Sequence, residues 1–279
     1  MLSKRSNKNK RCYHYKYLKG DEGIFENLVD AVFILLMENS EREKNVMEQL
    51  NKYKLHSNII IQYNKGFKKC SKNLKKQQSN FDLLDANYNI FQKSIEMKYN
   101  NILILEDDFI ITPNILNKNY IKSIEILINK DDFNLINLGG IYLISKKYDK
   151  NIDNPLILSS AHSVIYNKKY FHDFINNYYY KFSQADNFSI VNNKYVTNQP
   201  LIVQPFPNTE NQNAWPKLGK MFHNFGDKML DIDWNNSKGK EFFYWQKYYK
   251  ARLFVELFML LILLLFSFLI ILIIKINKK

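Results

Sequence analysis

The segment Asn101-Ile-Leu-Ile-Leu-Glu-Asp-Asp-Phe109 constrains this chain more than any other stretch. Its apolar residues read as a buried strand, and they run into three consecutive carboxylates at the carboxyl end. In open α/β sheets, ligands bind just beyond the carboxyl ends of the strands. Acids gathered there repel one another unless a positive charge lies between them. A divalent cation carrying a diphosphate meets that need, because hard oxygens suit Mg²⁺ or Mn²⁺. Alternate residues at a strand end face the same way, so Glu106 and Asp108 are expected to meet one cation while Asp107 points elsewhere. The plainer alternative is a solvated acidic turn that closes the strand.

Around this segment, strands and helices alternate. Ala31 to Leu36 is a continuous apolar run, hence a central strand, and Ser40 with Glu43 forms a capping-box pattern that opens a helix to about Lys52. Asn58 to Tyr63 is a second strand, Asp82 to Lys98 a helix, and Ile102 to Leu105 the strand of the acidic triplet. Pro113 suits the first turn of the next helix, whose Ile121, Ile124 and Ile128 fall at helical spacing. Phe133 to Leu138 is a further strand, stopped by Gly139-Gly140. The alternation predicts a Rossmann-like, mainly parallel sheet. After Leu156 the strands shorten (Ile157-Leu158, Ser163–Tyr166, Leu201–Gln204) around a helix near Lys168–Tyr180, and residues 205–240 read as loop.

The turn after the first strand, Leu36-Met-Glu-Asn-Ser-Glu-Arg42, lies where a nucleotide base and ribose would sit. Asn39 and Arg42 can donate there to a uracil or a phosphate, although the spacing alone fits an ordinary helix start. With the helix reading Ala86-Asn-Tyr-Asn-Ile-Phe91 and the strand end Leu105-Glu-Asp-Asp108, the order resembles glycosyltransferase family 25. That family includes the lipooligosaccharide and collagen galactosyltransferases. The similarity extends through Leu138-Gly-Gly140, Ala161-His-Ser-Val-Ile-Tyr166, Asp186 and Pro200-Leu-Ile-Val-Gln204, and so spans roughly residues 30–205. Ala86-Asn87 stands where the family has Ser-His.

The resemblance implies an α/β fold of GT-A type, a nucleotide-sugar donor such as a UDP-hexose, and Mn²⁺ or Mg²⁺. Under it, Glu106 and Asp108 hold the metal, and Asn39, Arg42, Asn87 and Asp107 bind the donor. An inverting transfer needs a carboxylate to take the acceptor's proton. Asp186 is the candidate, with a helix N-cap as its plainer role. His162 and Gln204 are candidate acceptor or donor contacts, and His223 a further candidate for the metal shell. A lone His on a strand is more often a hydrogen-bonded core residue. The acceptor would be a glycan, a lipid or a protein.

Composition narrows the alternatives. Apolar residues make up 46% of the chain, enough for a sizeable core. The net charge of +13 is accounted for by two acid-free runs, residues 1–20 and the loop 65–76. The rest is balanced, so no specific nucleic-acid surface is expected. Two cysteines, Cys12 and Cys70, build no disulfide framework or paired-Cys metal site, and nothing calls for an oxidising compartment. Leu253 to Ile274 is apolar except for Glu256 and Ser267, and at ~1.5 Å per residue it reaches the ~30 Å of a bilayer core.

The domain reading is therefore a basic flexible arm (1–28) and a transferase-like domain (29–240), with a nucleotide-sugar half (29–140) and an acceptor half (141–240). A juxtamembrane segment (241–252) and a membrane helix (253–274) follow. Tyr244, Trp245, Tyr248 and Tyr249 are expected to form an interfacial aromatic belt. The chain reads as a single-pass, tail-anchored membrane protein with a cytoplasmic catalytic domain, since no secretory signal opens it. The competing class is a catalytically inactive, membrane-tethered binding or scaffold protein, which the missing Ser-His pair favours.

Overall fold

The computed structural model describes residues 11–178, 187–204 and 240–276. Its centre is a nine-stranded sheet of β1 (Tyr13–Lys19), β2 (Ala31–Met37), β3 (Asn58–Asn64), β4 (Asn101–Glu106), β6 (Leu135–Asn137), β7 (Ile141–Lys147), β8 (Ile152–Ser159), β9 (Ser163–Asn167) and β10 (Lys194–Thr197). The spatial order is β1-β3-β2-β4-β9-β6-β10-β8-β7. Strands β3, β2 and β4 pair in parallel, as do β6 and β10, while β1, β8 and β9 run against them. The two-residue strands β5 (Ile110–Ile111) and β11 (Ile202–Val203) form a separate antiparallel pair.

Helices cover both faces. On one face lie α1 (Arg42–Lys52) and α3 (Lys118–Asn129), whose Val46, Ile124 and Leu127 pack on Ile34, Ile61 and Leu103. On the other lie α2 (Ser79–Glu96) and α4 (Lys168–Asp173). There Phe91 is ringed by Tyr166, Tyr170, Phe171 and Phe174, with centroids 4.9–5.6 Å away. The central strands are buried on both faces, which is why they read as unbroken apolar runs.

Part of the expected basic arm is structured. Residues 13–19 pair along the whole of β3, and Phe25 and Leu28 are buried. Tyr13, Tyr15 and Tyr17 alternate with His14 and Lys16, the period-two pattern of a strand, which the density of charge obscures. The expected capping box is absent. Ser40 Oγ accepts from the Arg42 amide at 3.2 Å, but the Glu43 carboxylate accepts from the Tyr63 hydroxyl at 2.6 Å instead of reaching back.

The C-terminal helix α5 (Lys240–Ile276) is one 37-residue element, the candidate membrane anchor. Of the residues expected to form an interfacial belt, Trp245, Tyr248 and Tyr249 pack on the domain instead, and the Tyr244 side chain lies outside the described residues. Trp245 is fully buried, and the Tyr248 hydroxyl is hydrogen-bonded to the Tyr142 backbone. Tyr249 donates to the Gly140 carbonyl at 3.0 Å. The domain itself offers an apolar surface for these rings, and their hydroxyls are taken by sheet backbone that lipid would leave unpaired.

Gly139 marks a close crossing. A Cβ there would lie 1.8 Å from the Ile202 carbonyl oxygen, which is backbone and cannot rotate away. Gly139→Ala is expected to force β11 outward and lower stability by about 3 kcal/mol or more, read as a fall in Tm of the full chain.

Candidate functional site

The carboxyl ends of β2, β3, β4 and β6 open on one edge of the sheet, so the loops that follow them converge there. After β2, Asn39 takes a left-handed conformation (φ 62°), which Asn tolerates better than most residues. The chain then reverses into α1 and places Arg42 on its first turn. After β4, the acidic triplet turns sharply, with the Phe109 amide donating to the Glu106 carbonyl.

Arg42 joins the two loops. Its Nη1 lies 2.7 Å from Asp107 Oδ1 and 3.7 Å from Asp108 Oδ2. The positive charge the acids require is thus supplied in part by a side chain. The same geometry shows Asp107 and Asp108 turned toward one cation, where alternation along a strand would send them apart. The strand has ended at Glu106, and the turn no longer obeys period two.

Asp108 is the most enclosed of these groups, with its side chain 6% exposed. Gln204, delivered by β11 through its pairing with β5, donates from Nε2 to Asp108 Oδ2 at 3.0 Å. Asp108 Oδ1 is buried and has no hydrogen-bond partner among the described residues. Burial pushes this carboxyl up to about 6, Asp107 adds to the rise, and Gln204 and Arg42 oppose it.

His162 sits just behind this edge. Its carbonyl accepts from the Glu106 amide at 3.0 Å. Its ring is fully buried, with Nδ1 2.7 Å from Ser160 Oγ and Nε2 3.1 Å from the Ile202 carbonyl. Both ring nitrogens are therefore engaged within the fold, which makes His162 a brace between β9 and β11. Burial lowers its pKa to about 4. A histidine neutral in the fold loses stability as pH falls from about 6.5 toward 4, because the unfolded chain binds a proton there first. Asp108 acts with the opposite sign over nearly the same window, since its raised carboxyl holds a proton that the unfolded chain releases. The two contributions offset in a melting curve. The direct measurement is the imidazole NMR titration, in which His162 is expected to show no transition between pH 8 and 5.

The structure thus brings Arg42, Asp107, Asp108 and Gln204 together at one edge, with Glu106 at the adjoining strand end. Asn39 is exposed in the flanking turn. Asn87 is used within its own helix, its Nδ2 donating to the Leu83 carbonyl at 3.1 Å. Asp186 and His223 lie outside the described residues. Among the described residues, no three His, Cys, Asp or Glu side chains converge as a ready-made metal cage. The unpartnered Asp108 oxygen nevertheless fits an ion such as Mg²⁺, which is usually bound by one or two carboxylates with the substrate's phosphates completing its shell.

The residue that sequence reasoning undervalued at this edge is Lys72, read as one of six loop lysines. Its ammonium is buried, 2.5 Å from Asp82 Oδ1 and 2.9 Å from the Tyr13 hydroxyl. Cys12 and Cys70 are joined in a disulfide. That bridge corrects the view that nothing here calls for an oxidising compartment. Pairing of two lone cysteines across unrelated segments leaves no mark in sequence spacing.

No protein-family model matches this chain, and no curated relative matches it. Among solved structures, "Crystal Structure of A197 from STIV" is similar at 9% identity and a TM-score of 0.38, covering 64% of this chain and 86% of that one. A second, "crystal structure of a glycosyltransferase involved in the glycosylation of the major capsid of PBCV-1", is similar at 11% identity and a TM-score of 0.36, covering 66% of this chain and 98% of that one. Neither is close enough to assign a function.

Proposed function

We propose that this chain is a membrane-anchored, metal-dependent glycosyltransferase that moves a hexose from a nucleotide-sugar to a glycan, lipid or protein acceptor. The observation that supports it most is the Asp108 carboxylate. It is buried at the carboxyl edge of a parallel strand trio, aligned by Gln204, set beside Arg42, and has one oxygen without a partner among the described residues.

In this reading Glu106 and Asp108 hold Mn²⁺ or Mg²⁺, which would supply charge neutralisation on the leaving diphosphate. Arg42 reaches the same phosphates from the other loop, and Asn39 lies where the base would be contacted. For an inverting transfer, the acceptor hydroxyl oxygen bonds to the anomeric carbon as the carbon–oxygen bond to the diphosphate breaks. The electron pair leaves with the diphosphate, and the hydroxyl proton passes to a carboxylate, for which Asp186 is the proposed base.

A second reading has one observation in its favour. Because Arg42 already neutralises Asp107, the acids can persist without a metal, as in an inactive binding or scaffold protein. One experiment separates the two. The full chain in detergent is titrated with UDP-, GDP- and CMP-sugars with and without Mn²⁺, and nucleotide release is followed in parallel. Manganese-dependent binding of one donor, lost in Asp108→Ala, with turnover, is the expected result. Binding without turnover favours the scaffold, and no binding by folded protein removes the transferase reading.

The Cys12–Cys70 bridge bears on orientation. Disulfides persist in oxidising surroundings, so we place the domain on the oxidising side of the membrane and not in the cytoplasm. Protection of the domain from external protease in sealed membrane vesicles of known sidedness tests this.

A further inference from the structure

Outside α5, Tyr17, Met37, Met97, Leu116, Ile126 and Ile190 are exposed on separate parts of the domain, and one hairpin carries three more. Ile144, Leu156 and Ile157 are 48%, 60% and 39% exposed, and all three lie on the β7–β8 hairpin. Strand β7 is the outermost of the sheet. The β7–β8 pairing runs from Ile141↔Ser159 to Lys147↔Asp153 but omits Ile144 opposite Leu156. At that gap Ile144 adopts φ 52°, a left-handed conformation that a β-branched residue resists. An edge strand with an exposed isoleucine, next to a strand with exposed Leu156 and Ile157, invites association unless something covers it.

Helix α5 identifies the cover. Arg252 stacks over the Tyr142 ring at 4.2 Å and pairs with Asp153 at 3.2 Å. One turn on, Glu256 Oε1 accepts the Ile144 amide at 2.9 Å, which uses the donor the distorted strand leaves over. Arg252 and Glu256 are themselves paired at 3.4 Å. Beyond Glu256 the helix leaves the domain, and residues 257–276 are almost continuously exposed and apolar. At ~1.5 Å per residue that free stretch is about 30 Å long, the thickness of a bilayer core. No linker separates the last docked residue from the first free turn.

The geometry points to the β7–β8 edge being seated in the membrane interface, with Ile144, Leu156 and Ile157 against lipid. This rests on α5 spanning the bilayer. If the helix crosses, the hydrogen bond from Ile144 to Glu256 holds the hairpin at the level where the span begins. Lipid then covers the patch that water would otherwise meet. The site is held at a set height as well. Gln204, which aligns Asp108, accepts through its carbonyl from Trp245 Nε1 at 3.4 Å. Along α5 the level of Trp245 lies roughly 17 Å from that of Glu256. A docked helix keeps the acidic edge near the membrane surface, which suits an acceptor borne on a lipid or on another membrane-bound molecule.

The test is spin labelling of the full chain in phosphatidylcholine nanodiscs. Single cysteines are introduced as Ile157→Cys, as Leu264→Cys on the free helix, and as Tyr17→Cys on the opposite edge strand. Each label's collisions with dissolved oxygen and with a water-soluble nickel chelate are compared. All three sites are exposed on the folded chain, so the substitutions leave the core intact. The expected result is loss of nickel broadening with retained oxygen broadening at Leu264→Cys and Ile157→Cys, and full nickel broadening at Tyr17→Cys. If Leu264→Cys is in lipid but Ile157→Cys is as open to nickel as Tyr17→Cys, the apposition is overturned while the anchor stands. Shielding of Ile157→Cys from both probes means a protein surface covers the edge, which also overturns it. Nickel broadening at Leu264→Cys removes the anchor reading and this inference with it.

Discussion

Lys72→Met is expected to destabilise the domain by about 3–5 kcal/mol, the usual cost of removing one partner from a buried ion pair. The Lys72 ammonium is inaccessible to solvent, and Asp82, 8% exposed, lies 2.5 Å away. Burial lowers the lysine's pKa, and the neighbouring carboxylates Asp82 and Asp85 oppose that shift. Without the lysine, Asp82 keeps the Phe67 amide at 3.1 Å and the Asn64 amide at 3.4 Å, but no full positive charge. Since domains are stable by only about 5–15 kcal/mol, much of the total is at stake. The measurement is urea unfolding of the single variants and of Lys72→Met/Asp82→Leu. The double variant is expected to recover part of the loss, because an apolar pair avoids the unpaired charge while the Phe67 amide loses its acceptor. Equal loss in the double variant would show that packing, not charge, is what Lys72 supplies.

The second large effect concerns the bridge that clamps the same loop. Cys12 and Cys70 are 58 residues apart in sequence. Closing a loop of that length restricts the unfolded chain by an amount worth about 4 kcal/mol in the chain-entropy picture. Cys70→Ser is therefore expected to lower Tm by roughly 10 °C, at about 2–4 °C per kcal/mol for a domain of this size. A reductant should do the same to the native chain and nothing further to the variant. Protein isolated without reductant should show no reactive thiol, because among the described residues no cysteine is free. An unchanged Tm on reduction would refute this, and would remove the bridge as an argument about compartment.

Both effects arise in the lysine-rich segment after β3, for which composition alone leaves open a solvated loop, a surface for acidic lipid or an attractor of an anionic donor. Its location explains the two effects. Asn64 ends β3 beside Met37 of β2, so the loop is laid along the same edge as the acidic turn. Lys72, the disulfide and the Gly66 turn tie it down, with the Gly66 amide donating to Asn64 Oδ1 at 2.8 Å. Lys65, Lys68, Lys69, Lys75 and Lys76 then remain at or near its surface.

What could be read from the chain itself follows from local periodicity. The buried strands β2, β3 and β4, the helices between them, the acidic turn after Leu105 and the long apolar C-terminal helix are each encoded within a few residues of themselves. Burial on both faces demands unbroken apolar runs, and a span demands some twenty apolar residues. The placement of Arg42 and the three acids, though not their role, is legible for the same reason, since each stands at the end of a strand whose direction the alternation predicts. The partners of those residues are not. Gln204 meets Asp108 across 96 residues, Cys70 meets Cys12 across 58, and Glu256 meets the Ile144 amide across 112. Edge strand β1 was hidden by its charge, and the aromatic turns of α5 resemble an interfacial belt until the sheet face that receives them is known. Such contacts depend on which surfaces the fold brings together, a property of packing between distant segments that no local pattern of apolar and polar residues records.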